Sequence, residues 1–153
     1  MKIKHLCLPL HYGKYNKEDL EALMNIWEQA SNLAHPFLDT EFVKKVTKDM
    51  RELYLPNPEA CIYVYENNNN ILGFISMIEN EIEGLFVNPK YHSKGIGSAL
   101  VDHIKDVYEN LEVEVFKNNK IGRAFYDKYG FKEVKRYSFE QANQEVIRMR
   151  YIK

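Results

Sequence analysis

Residues 85–98 constrain this chain more than any other stretch: Leu85-Phe86-Val87-Asn88-Pro89-Lys90-Tyr91-His92-Ser93-Lys94-Gly95-Ile96-Gly97-Ser98. An apolar run that reads as a strand is closed by Asn88-Pro89, and two glycines follow. After them Ile96, Leu100, Val101, Ile104, Val107 and Tyr108 recur at helical spacing, which predicts an amphipathic helix of about four turns. The first amides of a helix have no internal partner, and the macrodipole places about half a positive charge there. Glycine lets a ligand approach the main chain closely. Strand, glycine loop and helix therefore make a cradle for a phosphate or diphosphate, with Lys90 and Lys94 adding local positive charge.

Other nucleotide loops fit less well. A Walker loop needs Gly-Lys followed by Ser or Thr after four intervening residues, and that is absent. A dinucleotide fingerprint needs a third glycine three residues beyond Gly97, where Leu100 stands, although Glu114 lies about where its ribose-binding acid would be.

The remaining pattern predicts one domain over residues 1–153. Residues 3–10 read as a strand. Asn16 can cap a helix from Lys17, with Leu20, Leu23, Ile26, Trp27 and Ala30 on one face and a stop at Ala34-His35-Pro36. A second helix begins after Asp39 or Thr40 and runs towards Leu55, ended by Pro56 and Pro58. Residues 61–66 and 71–78 flank the Asn67 to Asn70 tract as a hairpin, because asparagine tolerates left-handed backbone. Residues 82–87 form the next strand, and after the glycine-loop helix come a strand at 111–116 and a helix at Lys120–Tyr129. Gly130 ends that helix, and strands at 131–137 and 146–152 close the chain. The expected architecture is an α/β (α+β) mixture: a mainly antiparallel sheet of about seven strands flanked by about four helices, in the order β-α-α-β-β-β-α-β-α-β-β.

Net charge is −1, so no bulk attraction to nucleic acid or anionic lipid is expected, and no apolar stretch is long enough for a membrane span. Cys7 and Cys61 show no paired spacing for zinc and read as two small buried hydrophobes. His5, His11 and His103 show no metal spacing either, and no metal is expected. The N-terminal residues do not read as a secretory signal, so the expected location is cytoplasmic.

A second signature follows the first: Asn119-Lys120-Ile121-Gly122-Arg123-Ala124-Phe125-Tyr126-Asp127-Lys128-Tyr129-Gly130-Phe131. His92-x-x-Gly95-x-Gly97 resembles the Gln/Arg-x-x-Gly-x-Gly/Ala loop of the GNAT N-acetyltransferase superfamily, and residues 119–131 resemble that family's Asn…Phe-Tyr…Gly-Phe segment. The close match covers about residues 81–131. His92 replaces the usual Gln or Arg, and Gly122 stands where Ala is frequent. The resemblance implies acetyl-CoA as acyl donor. Its diphosphate would sit on the main chain of Ser93, Lys94, Gly95, Ile96, Gly97 and Ser98 beside His92. Its pantetheine arm would pair with Phe86 and Val87, Asn119 would hydrogen-bond the arm, and Tyr126 would lie near the thioester sulfur as the acid for the departing thiolate.

Transfer to an amine needs deprotonation of an ammonium of pKa about 10.4. Glu79, Glu81 and Glu83 alternate at period two and would share one face if the strand extends that far. Glu81 or Glu83 is the candidate base by position in the family, and a glycine inside the strand, Gly84, suggests a bulge or close approach that could alter which carboxylate faces the site. The resemblance also implies an acceptor pocket walled by the first two helices, here from about Trp27 to Phe42, with Trp27, His35 and Phe37 as candidates. Ala34-His35-Pro36-Phe37-Leu38 resembles a His-x-Phe-Leu stretch of small bacterial GNAT proteins.

The reading is an N-acetyltransferase acting on a primary amine of a small molecule or peptide by direct attack in a ternary complex, as monomer or homodimer. The alternatives are a non-catalytic acetyl-CoA-binding module and a dinucleotide-binding domain.

Overall fold

The computed structural model describes residues 2–6 and 17–153. The expectations at Cys7, His11 and Asn16 lie outside the described residues. The described residues form, in order, β1 (Lys2–Leu6), α1 (Lys17–Ala34), α2 (Thr40–Asp49), β2 (Cys61–Asn67), β3 (Asn70–Ile78), β4 (Glu81–Val87), α3 (Ile96–Lys105), β5 (Asn110–Phe116), α4 (Lys120–Tyr129), β6 (Lys132–Phe139) and β7 (Gln144–Ile152). This is the expected order. The strands make one sheet, β1-β2-β3-β4-β5-β7-β6, in which β4 and β5 pair parallel and every other pair is antiparallel.

Period-two alternation divides the core into two layers. Ile62 and Val64 of β2 and Phe74 of β3 pack under the α1 stripe of Leu20, Leu23, Met24, Ile26 and Trp27. Tyr63 and Tyr65 point the other way, towards the layer where α3 and α4 cover Ile75, Met77, Leu111, Val113 and Ile147. Each fully buried aliphatic or Phe side chain contributes about 1.5–3 kcal/mol.

Local signals set the joints. Asn68 and Asn69 both adopt left-handed backbone between β2 and β3 (φ 52° and 64°), as a two-residue hairpin turn requires. Asp39 caps α2 by accepting from the Glu41 amide at 2.8 Å. The helix continues to Tyr54 through a π-helical turn over Met50–Tyr54. Gly130, at φ 119°, closes α4.

Three expectations need correction. The glycine-loop helix stops at Lys105, short of the four turns its apolar spacing suggested, because the chain must turn back into β5; Val107 is left exposed. Cys61 is exposed at the start of β2, not buried. Glu79 lies in the β3–β4 turn with φ 51°, so it does not continue the strand face of Glu81 and Glu83.

The β-bulge falls at Glu83, immediately before Gly84. The β3–β4 register passes from Ser76↔Gly84 to Met77↔Ile82, leaving Glu83 as the extra residue. Ile82, Leu85 and Val87 consequently face one core layer at a spacing no regular strand gives, while Phe86 faces the other. No described helix is long and apolar enough to cross a membrane.

Candidate active site

The parallel pairing of β4 and β5 is brief. It holds at Glu81↔Glu112 and Ile82↔Val113 and goes no further, although β4 stays paired to β3 as far as Gly73↔Val87. The strands part, and residues 84–87 have no ladder partner on the β5 side among the described residues. A cleft of about 410 Å³ opens there, reached by Glu83, Phe86, Phe116, Asn119 and Tyr126. A hollow of similar volume, about 440 Å³, lies between α4 and the β6–β7 ribbon beside Lys120 and Arg123, more open and away from all of these groups.

Beyond the end of β4, Gly95 is the N-cap of α3 at φ 81°, with open space where a Cβ would stand. No side chain caps the helix, and its first internal bond is Ala99 N–H to the Gly95 carbonyl at 2.9 Å. The amides of Ile96, Gly97 and Ser98 therefore lack partners within the helix. Ser93 is also left-handed, at φ 63°, and Ser93, Lys94 and Gly95 are exposed. His92 turns inward instead: its Nε2 donates to the Val87 carbonyl at 2.9 Å and braces the loop against the end of β4.

The carboxylates are separated by one guanidinium. Arg148 of β7 grips Glu81 through two bonds of 2.7 and 3.1 Å, and it also reaches Glu112 at 3.2 Å and Glu114 at 2.8 Å. Glu81 is thus held as one arm of an ion-pair network. Glu83 has no hydrogen-bond or ion-pair partner among the described residues, and although largely exposed it lines the cleft. Partial desolvation there, reinforced by the negative charges of Glu81 and Glu114, raises its carboxyl above the usual value of 4.5; the Arg148 charge pulls the other way.

Tyr126 is 6% exposed, its ring edge-on to Phe125 at 5.2 Å and Phe131 at 5.1 Å. Burial lifts the phenol well above its ordinary 10, so it keeps its proton throughout the physiological range. Its hydroxyl has no hydrogen-bond partner among the described residues.

Asn119 and His35 form a link across the cleft. Asn119 is 8% exposed and caps α4, its Oδ1 accepting from the Gly122 amide at 2.8 Å. That orientation aims Nδ2 at His35 Nε2, 3.1 Å away. An amide NH₂ only donates, so Nε2 accepts and the imidazole proton sits on Nδ1, which faces Ser31 Oγ at 3.1 Å. Burial holds His35 neutral, with its pKa lowered to about 4. Both ring nitrogens are occupied within the chain. Phe37 packs edge-on against His35 and Phe116, whereas the adjacent Leu38 lines the cleft; Trp27 also borders it but is buried at 5% exposed in the α1 layer.

A model of the GNAT acetyltransferase domain matches residues 14–153. The chain belongs to the GNAT acetyltransferase family. The peptidyl-lysine N-acetyltransferase YiaC of Escherichia coli (strain K12) is 29% identical to it over 116 residues, 75% of this chain and 78% of that protein. The solution structure of apo-form YjaB from Escherichia coli superposes with a TM-score of 0.81 at 25% identity, over 99% of this chain and 98% of that one. PaiA N-acetyltransferase from Thermoplasma acidophilum, solved in complex with coenzyme A, shares the fold with a TM-score of 0.71 at 19% identity, over 99% and 100% of the two chains. As a GNAT protein the chain is an acetyl-CoA-dependent N-acetyltransferase.

The GNAT donor suits what the residues offer. Uncapped amides at residues 96–98 suit a diphosphate, and the free edge of residues 84–87 suits an amide-bearing arm. Sequence reasoning missed Arg148, which lies on a strand remote from its partners. Its signal was the alternation of Arg148 and Arg150 against Glu112 and Glu114, visible once β7 is known to pair with β5. It also missed Phe116, which read as an ordinary strand residue, and Phe139, which lies past the expected strand at 131–137 but within the observed β6.

Proposed function

We propose that this GNAT enzyme acetylates a primary amine by direct attack in a ternary complex, with Glu83 as general base and Tyr126 as general acid. The carrying observation is the division of labour among the carboxylates: Arg148 holds Glu81, while Glu83 stands unpaired in the same cleft as Tyr126. Acetyl-CoA supplies the acetyl thioester; the amine–acetyl bond forms as the carbon–sulfur bond breaks, and a free thiol leaves.

Glu83 takes the proton from the ammonium of the acceptor. A carboxyl raised above the ordinary range is a better proton acceptor than a salt-bridged one. Tyr126, kept protonated by burial, holds the proton that the departing sulfur needs. The amides of Ser93, Lys94, Gly95, Ile96, Gly97 and Ser98 bind the diphosphate, and the main chain of Phe86 and Val87 pairs with the pantetheine arm. His92 steadies that loop through Val87. Asn119 caps α4 and still has one amide hydrogen for the arm. Glu81 fixes Arg148 beside the base. YiaC and YjaB are peptidyl-lysine N-acetyltransferases, which supports an amine acceptor here, in a peptide or a small molecule.

The test is thiol release from acetyl-CoA with primary amines. Glu83→Gln should lower kcat/KM by about 10²–10⁴-fold while leaving coenzyme A affinity in place. Wild-type turnover retained in that variant, or a burst signalling an acetyl-enzyme, contradicts the reading.

A further inference from the structure

The α2 helix carries an apolar stripe of Phe42, Val43 and Val46, continued by Met50 in the π-helical turn, yet none of its residues is buried. All four of these side chains line the cleft. Phe116 and Phe139 extend the same wall, with the Phe42 and Phe139 rings edge-on at 6.1 Å and the Phe116 and Phe139 rings tilted at 6.4 Å. Such a surface is left half-exposed at a cost unless something apolar covers it.

The charges in the cleft are sparse by comparison. Its carboxylates are Glu83 and Glu114. Glu114 accepts from Arg148 at 2.8 Å and from the Tyr137 hydroxyl, so Glu83 alone is open to a cation. One ammonium is matched there. A second ammonium laid along the apolar α2 wall would lose its hydration with no free carboxylate to pair with it.

We propose that the acceptor is a monoammonium compound whose amine stands on an apolar stem or ring, the amine at Glu83 and the stem against α2, Phe116 and Phe139. This rests on the acetyltransfer reading above and narrows it. A lysine side chain, with its four-carbon stem, and an arylalkylamine share this chemistry. Polyamines and aminosugars do not. The cleft volume of about 410 Å³ admits a ring as well as a stem.

The experiment compares phenethylamine, a peptide bearing one lysine, spermidine and an aminoglycoside as acceptors by kcat/KM, together with calorimetry of each amine binding to the coenzyme A-loaded protein. Val43→Glu is measured in parallel; α2 has no buried residue, so the fold should survive, which circular dichroism checks. Phenethylamine or the lysine peptide should exceed spermidine and the aminoglycoside by at least about tenfold, and Val43→Glu should erase about tenfold of that preference. Whichever of the two favoured amines leads separates a small-molecule source from a peptide. Spermidine or the aminoglycoside used equally or better by the wild type overturns the proposal. If coenzyme A binds but no amine turns over, the acetyltransfer reading fails separately. Amine binding then decides the wall's selectivity: tighter phenethylamine upholds it, and equal or tighter spermidine overturns it.

Discussion

His35 Nε2 lies 3.1 Å from the Asn119 amide nitrogen, 84 residues away in sequence, and this bond ties the end of α1 to the start of α4. One end follows the last turn of α1 and the other is the N-cap of the helix that carries Tyr126. The bond requires a neutral imidazole protonated on Nδ1. Protonating Nε2 would set two donors against each other.

A pH dependence of stability follows. The folded pKa of His35 is about 4 against 6.5 in the unfolded chain. Its contribution is present in full above pH 6.5 and falls as pH drops towards 4, since the unfolded state binds the proton first. The loss over that window is about 3 kcal/mol at most. Urea midpoints of wild type and His35→Gln, measured from pH 7.5 to 4, should converge as pH falls; a constant gap contradicts it.

Gly122→Ala is expected to bring no stability. An alanine Cβ would stand 2.6 Å from the Asn119 Nδ2, so the carboxamide must rotate away from His35. Loss of the cap costs about 1 kcal/mol and cancels the gain in helix propensity, also about 1 kcal/mol. Thermal unfolding should show no increase, with a shift in the His35 ring signals by NMR. A gain near the full propensity value would count against the contact.

Tyr126→Phe should lower kcat by about 10²-fold or more. The ring keeps its packing against Phe125 and Phe131, so thermal stability and coenzyme A affinity should stay near wild type. Equal kcat in the variant removes the tyrosine from the chemistry.

Arg148→Met should act on the base from a distance. The Arg148 charge holds the Glu83 carboxyl down, so its removal moves the acid limb of kcat/KM to higher pH. The base works deprotonated, hence activity near pH 6 should fall more than activity near pH 8. Stability should also drop by about 2–3 kcal/mol, because Glu81, Glu112 and Glu114 lose their common partner. An unmoved acid limb would show that Glu83 is not the titrating base.

The glycine loop, the asparagine hairpin and the element order were legible in the sequence because each depends on local backbone preference: left-handed Gly95, Asn68 and Asn69, and proline after His35. The length of α3 was not, since Val107 and Tyr108 kept the helical period while the chain had to turn towards β5. Nor was the difference between Glu81 and Glu83: Gly84 hinted at a bulge, but that Arg148 binds Glu81 and not Glu83 depends on a β7 residue far along the chain. The link between His35 and Asn119 is equally non-local, as is the wall formed where α2 faces the ends of β5 and β6.

Titration of coenzyme A into the folded chain by calorimetry tests the central claim most directly. A saturable heat of one ligand per chain is predicted, weakened at least about tenfold by Gly95→Val, which forces a β-branched residue into the left-handed N-cap of α3. No heat with the wild-type chain, or equal affinity in the variant, would contradict the account.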